Sequence, residues 1–240
     1  MRVGVYVDAY NLYYGMRDHC GRGSAGWRWL DVRALAQSLC GWRGSSVHRV
    51  VYCTAQVDSG DNPGGYARQD AYLKALKAHG SIDVLQLGRY VAWAKTAPLA
   101  DVLPSGRPRV IKPAGNEVFP PGLPVWDQGG DAFMARVQVR EEKGSDVNVA
   151  THLLADVFMK QVDAAIVISN DSDLGLPLGI ARTLVPVGTV NPGTKPLAGA
   201  LRGLKSDGPG GHWWAKLSKQ QFYSNQMPQR VGNWTKPPAW

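Results

Sequence analysis

Short runs of consecutive apolar residues, each followed by a polar turn and then by apolar positions at helical spacing, recur down to about residue 190. The first run, residues 2–7 (RVGVYV), is β-rich and closed by Asp8, which predicts a buried central strand. The polar, aromatic stretch AYNLYYG after it predicts a loop. A helix is expected over 31–39, with Asp31 as its N-cap and Val32, Leu35, Ala36 and Leu39 on one face. Residues 47–53 predict a second strand and 66–78 a helix stopped at His79-Gly80, followed by a third strand over 82–87.

Periodicity then dissolves. Pro98, Pro104, Pro108, Pro113, Pro120, Pro121 and Pro124 break up residues 90–135, so an insertion of hairpins and loops is expected there. The alternation resumes with a strand over 134–141 and a helix over 145–160, whose apolar stripe is Val147, Ala150, Leu154, Val157 and Phe158. Residues 164–169 and 185–190 predict strands, with a short helix over 174–182 between them. The fold class implied is α/β: a mostly parallel sheet with helices on both faces, in a Rossmann-like three-layer sandwich. One domain is expected over 1–190, with the insertion at about 90–135, and a Gly/Pro-rich basic arm over 191–240. Within that arm, HWWAKLSKQQFYSNQ predicts a terminal docking helix.

Charge changes this picture. Lys and Arg number 27 against 19 Asp and Glu, a formal net charge of +8, which suits a polyanionic partner without naming it. In 201–240, Arg202, Lys205, Lys216, Lys219, Arg230 and Lys236 face one acid, Asp207. No apolar run approaches the roughly 18–20 residues that cross a bilayer, and the N-terminus has no signal-peptide core, so a cytoplasmic protein without membrane contact is expected. Cys20, Cys40 and Cys53 are too scattered for a zinc site or disulfide framework and are read as free thiols.

Candidate chemistry lies with acids at strand ends. Asp8 closes the first strand, Asp171 follows the 164–169 strand with Asp173 two residues on, and Asp146 opens the helix after the 134–141 strand. The carboxyl ends of neighbouring strands in an open α/β sheet face one crevice, so these carboxylates can converge. Converging carboxylates repel unless a hard cation, Mg²⁺ or Mn²⁺, holds them, and such a cation activates water and stabilises phosphoryl oxygens. Any one of these acids alone is more often a cap or turn residue, Asp173 included. Three at equivalent positions favour a shared site.

The segments VYVDAYNLYYG, REEKGSDVNVATHLLAD and VISNDSDL, in that order, resemble the NYN domain, a branch of the PIN-like nuclease superfamily. YARQDAYLKAL and the strand leading to Gly88-Arg89-Tyr90 add to the likeness, which covers residues 2–190 outside the insertion. The resemblance implies a metal-dependent ribonuclease, expected to cut endonucleolytically, acting on single-stranded or structured RNA. Its implied catalytic acids are Asp8, Asp146, Asp171 and Asp173, with Asp8, Asp146 and Asp171 as metal ligands. Asn11 either orients a phosphate or metal water or is a turn residue. Lys143 either meets the scissile phosphate or is a solvated charge beside Glu142. His152 stands where many members carry a further aspartate, which puts catalytic competence in question.

Arg68 and Gln69 open the helix expected over 66–78, and a helix N-terminus favours phosphate. Arg107, Arg109 and Lys112 add charge in the insertion. Trp213, Trp214, Phe222 and Tyr223 among Lys216 and Lys219 suit either base stacking or docking on the domain, with docking favoured for Trp213 and Phe222. The competing reading is a catalytically weak PIN-like module that binds RNA or protein, and a protein regulator is also conceivable. A dehalogenase-type phosphatase would want an aspartate where Tyr10 stands, a Toprim site would want Glu at Asp8, and neither a GxxxxGK[ST] nor a GxGxxG motif is present. The oligomeric state is open.

Overall fold

The computed structural model describes residues 1–114, 122–238 and 240; Pro120 and Pro121 of the Pro-rich stretch lie outside the described residues. The elements that frame the site are β1 (Arg2–Asp8), α1 (Ala9–Cys20), α2 (Val32–Ser38), β2 (Ser46–Ala55), α3 (Pro63–His79) and β3 (Val84–Pro98). Then come β4 (Ala100–Val102), β5 (Pro108–Val110), β6 (Val125–Asp127), β7 (Phe133–Lys143) and α4 (Ser145–Phe158). The chain continues through β8 (Ala164–Ile168), α5 (Gly175–Arg182), β9 (Val187–Asn191), β10 (Trp213–Lys216) and α6 (Lys219–Ser224).

An eight-stranded sheet runs in the order β10-β9-β8-β1-β2-β3-β7-β6. The pairs from β10 to β3 are all parallel, and β6 pairs antiparallel with β7. The fold is the mixed α/β, mostly parallel three-layer arrangement expected. Alternation along β1 explains the layers. Val3, Val5 and Val7 pack with Leu12, Leu35, Leu76 and Phe222 on one face, while Tyr6 packs with Val149, Leu153 and Leu178 of α4 and α5 on the other.

Two compact units result, one of residues 1–89 with 142–240 and one of residues 90–141, and β3 and β7 run from one into the other. The second unit holds the β4–β5 hairpin and the β6–β7 pair. Among the described residues no helix is long and apolar enough to cross a membrane.

Several local expectations hold. Asp31 accepts a bond from the Ala34 amide as the N-cap of α2, and Gly80 ends α3 at φ 72°. Three need correction. Residues 9–15 belong to helix α1 and not to a loop, because the Asp8 carboxylate caps the turn by accepting from the Asn11 amide. Ala9, Leu12, Met16 and Cys20 then bury a stripe at helical spacing, which the intervening tyrosines mask in the sequence. On α4 the buried face is Ser145, Val149, Leu153, Asp156 and Val157, whereas Val147 and Phe158 are exposed. The expected face was out of phase because Asp156 is buried as part of a polar network. The helix expected over HWWAKLSKQQFYSNQ is instead strand β10, paired with β9, followed by the short α6 under a Ser218–Gln221 capping box. Trp213 and Phe222 do dock: Phe222 is fully buried and Trp213 packs against the α1-side core.

Candidate functional site

Asp8 is the last residue of β1 and points to the α4 face, since Tyr6 two residues earlier packs there. It is 3% exposed. Its carboxylate accepts from the Asn11 amide at 3.0 Å and from the Ser169 hydroxyl at 2.9 Å. Ser169, just past β8, in turn accepts from the Asp171 amide at 3.0 Å. Hydrogen bonds therefore link the ends of β1 and β8, and each Asp8 oxygen keeps acceptor capacity for a further partner.

Asp146 reaches the same region from the first turn of α4, whose Val149 and Leu153 pack onto the β1–β2 face. Glu142, at the end of β7, completes that turn by accepting from the Ser145 amide at 3.1 Å and the Ser145 hydroxyl at 2.7 Å. Gly88 makes this possible. A β-carbon there would stand 2.5 Å from the Lys143 carbonyl oxygen and 2.7 Å from a Glu142 carboxylate oxygen.

Electrostatics shows that these acids form one group. Burial foremost, and then the charges of Asp171 and Glu142, push the Asp8 carboxyl up to about 6, against the pull of its two hydrogen bonds. Burial, followed by Asp8, Asp171, Glu142 and Asp173, pushes Asp146 up to about 7. Cys53, paired in register with Asp8, is fully buried, and burial together with Asp8, Asp146 and Glu142 pushes its thiol up to about 12. Perturbed acids gathered at strand ends make this the candidate functional site.

The other candidates divide. Asp171 is half-buried and caps a single 3₁₀ turn, accepting from the Asp173 amide at 3.0 Å, while Asp173 is exposed. Asn11 accepts from the Asn170 amide at 2.9 Å, so its side chain ties α1 to the β8 exit. Gln69 accepts from the Val57 amide at 2.7 Å and donates to the Ala55 carbonyl at 2.9 Å; its amide fastens the β2 exit to α3. Because Pro63 starts α3 under an Asn62 cap, Arg68 and Gln69 lie in its second turn and not at its N-terminus; Arg68 is exposed there, and Lys143 is exposed at the end of β7. His152 lies 3.3 Å from the Gln86 side-chain oxygen, which gives it a partner on β3. Glu142 and Ser169 were missed. Glu142 was passed over as a mere neighbour of Lys143, although it too sits at a strand end two residues before a glycine.

An all-carboxylate donor set fits a hard divalent cation. Among the described residues, however, no group of three or more His, Cys, Asp or Glu side chains is placed so as to hold a metal ion.

No protein-family model matches the chain. Over 214 residues it is 27% identical to 6-hydroxy-3-succinoylpyridine 3-monooxygenase HspA of Pseudomonas putida (strain DSM 28022 / S16); the match covers 80% of this chain and 60% of that protein. Among solved structures, a protein of unknown function from Vibrio parahaemolyticus RIMD 2210633 superimposes at a TM-score of 0.45. It is 14% identical, with 91% of this chain and 94% of that one covered.

Proposed function

We propose that the chain is a divalent-metal-dependent ribonuclease of NYN type, hydrolysing phosphodiester bonds at the carboxylate edge of its sheet. The observation that carries this reading is the placement of Asp8 at the end of β1, Asp171 just past β8 and Asp146 in the first turn of α4, where Ser169 links Asp8 to the Asp171 amide and the charges of Asp171 and Glu142 act on both Asp8 and Asp146. Asp8, Asp146 and Asp171 would hold the cation, with Asp173 and Glu142 beside them. Bound there, Mg²⁺ or Mn²⁺ supplies charge neutralisation and an activated water. The chain's own part is orientation: Asn11 and Ser169 fix both oxygens of Asp8, and Glu142 fixes the turn that delivers Asp146. The excess of cations over the whole chain favours a polyanionic substrate.

End-labelled single-stranded RNA incubated with purified protein and Mn²⁺ is expected to be cut, and EDTA to stop the reaction. Asp171→Asn is expected to abolish cleavage by at least about a hundredfold while leaving the thermal transition in place. Full activity in that folded variant would sink the assignment.

The similarity to HspA favours a second reading, an oxygenase acting on a hydroxylated pyridine carrying an acid side chain. Consumption of 6-hydroxy-3-succinoylpyridine by the purified protein supplied with dioxygen and a two-electron donor, with no metal-dependent RNA cleavage, would establish that alternative.

A further inference from the structure

Most of the remaining buried chemistry is structural. Asp156 accepts from the Tyr6 hydroxyl at 3.0 Å and lies 3.0 Å from Arg49, and Arg182 donates to the Thr189 hydroxyl and the Leu201 carbonyl. One feature is not absorbed this way: a cavity of about 390 Å³ at the carboxyl ends of β9 and β10. Its lining includes Asn191, Leu197, Arg202, Trp214, Ala215 and Lys216, with no acidic side chain among the described residues that line it. The size falls at the low end of ligand pockets.

The strand pattern explains the lining. Trp213 turns to the α1 side of the sheet, where it lies against Trp42 and over Gly188. Alternation therefore puts Trp214 and Lys216 together on the opposite face. β10 is the last strand on this side of the sheet, so among the described residues no further strand adjoins them. Lys216 donates one bond to the Thr194 carbonyl, which anchors its ammonium while leaving two of its three protons available. Lys205 lies over the Trp214 ring, 6.0 Å from its centre, and Arg202 is exposed at the rim. An indole wall ringed by cations suits a planar ring that carries negative charge.

Position narrows the ligand. Asp8 closes β1 and Lys216 closes β10, on the same edge of the sheet and three strands apart, roughly 14 Å at the usual strand spacing. A polymer whose scissile phosphate sits at the acids can extend to this cavity.

We propose that the cavity is a nucleotide subsite in which a base of single-stranded RNA stacks on Trp214 while its phosphates meet Arg202 and Lys216. The assignment of RNA as occupant rests on the ribonuclease reading.

The test is fluorescence anisotropy of a short labelled oligouridylate titrated with the full chain in EDTA, where cleavage does not compete. Trp214→Ala is expected to weaken binding roughly tenfold, with Trp214→Phe restoring most of it. Arg202→Glu, an exposed change that leaves the fold alone, is expected to weaken binding comparably and to reduce the salt dependence by roughly one counterion. Wild-type affinity in both Trp214→Ala and Arg202→Glu overturns the subsite, and acid-dependent cleavage surviving beside it shows that the nuclease reading stands alone. Trp214-dependent binding of a hydroxypyridine carboxylate, with no binding of the oligonucleotide, also overturns it and assigns the cavity to a small aromatic acid. Pocket-dependent RNA binding without any metal-dependent cleavage supports the subsite and removes the nuclease.

Discussion

Two tendencies oppose each other at Asp146. An acid in the first turn of a helix is favoured by the helix dipole, yet burial and four neighbouring acids hold this carboxyl at about 7. The folded chain then binds the proton more tightly than the unfolded chain, so the stability this group lends is greatest at low pH. It is lost as pH rises from about 4 through about 7. Asp8 acts in the same sense, with its loss complete near pH 6. In EDTA, Asp146→Asn should therefore melt a few degrees above the parent at neutral pH, the gap closing as pH falls toward 4. Mn²⁺ should raise the melting temperature of the parent and not of the variant. A gap independent of pH would remove the electrostatic account. At Asp8 the two natural substitutions separate function from folding. Asp8→Asn keeps an acceptor for the Asn11 amide, whereas Asp8→Ala forfeits the cap at a cost of about 1 kcal/mol. On the ribonuclease reading both should lose cleavage, and only the alanine variant should also lose the cap's stability in a denaturant titration.

Helix α1 shows how the site depends on close approach between elements. A β-carbon at Gly15 would stand 2.5 Å from the Pro192 carbonyl oxygen in the segment after β9. Gly15→Ala should push the two backbones apart and destabilise the protein by roughly 1–3 kcal/mol in urea titration. A neutral effect would mean that the contact yields easily. The same helix marks the limit of what sequence discloses. Its stripe Leu12, Met16 and Cys20 is interrupted by Tyr10, Tyr13 and Tyr14, and only tertiary packing decides which residues go inward. In α4 a buried Asp156 and an exposed Phe158 defeat any rule based on hydrophobicity. The strands were readable because runs such as 164–168 are apolar throughout, as a sheet covered on both faces requires. The placement of Asp8, Asp146 and Asp171 was readable because strand ends share an edge. Glu142 was not, since its place depends on the close turn that Gly88 permits. Nor were Gln69 and Asn11, whose bonds reach backbone on other elements.

Residues 212–238 and Trp240 are woven into the rest of the fold. β10 extends the sheet, Phe222 lies against His19 of α1, and Trp240 meets both Trp29 and Tyr72 edge-on. The Gln226 side chain bonds the Trp29 amide and the Trp27 carbonyl. A chain cut before Gly211 would expose Trp29 and Leu12 and leave β9 as an open edge. Such a truncation should yield little soluble protein and no cooperative near-ultraviolet melting transition. Soluble, cooperatively folded material would show that this segment is dispensable to the core.

Cys53 carries a consequence for which metals the carboxylates can recruit. Only a thiolate ligates soft, thiophilic cations, and this sulfur is held protonated by burial and by the acids themselves. A soft cation such as zinc or cadmium would have to displace that proton, whereas a hard cation would meet the carboxylate oxygens alone. A cysteine one strand away from the acids is thereby a costly ligand for a thiophilic ion, not a ready one.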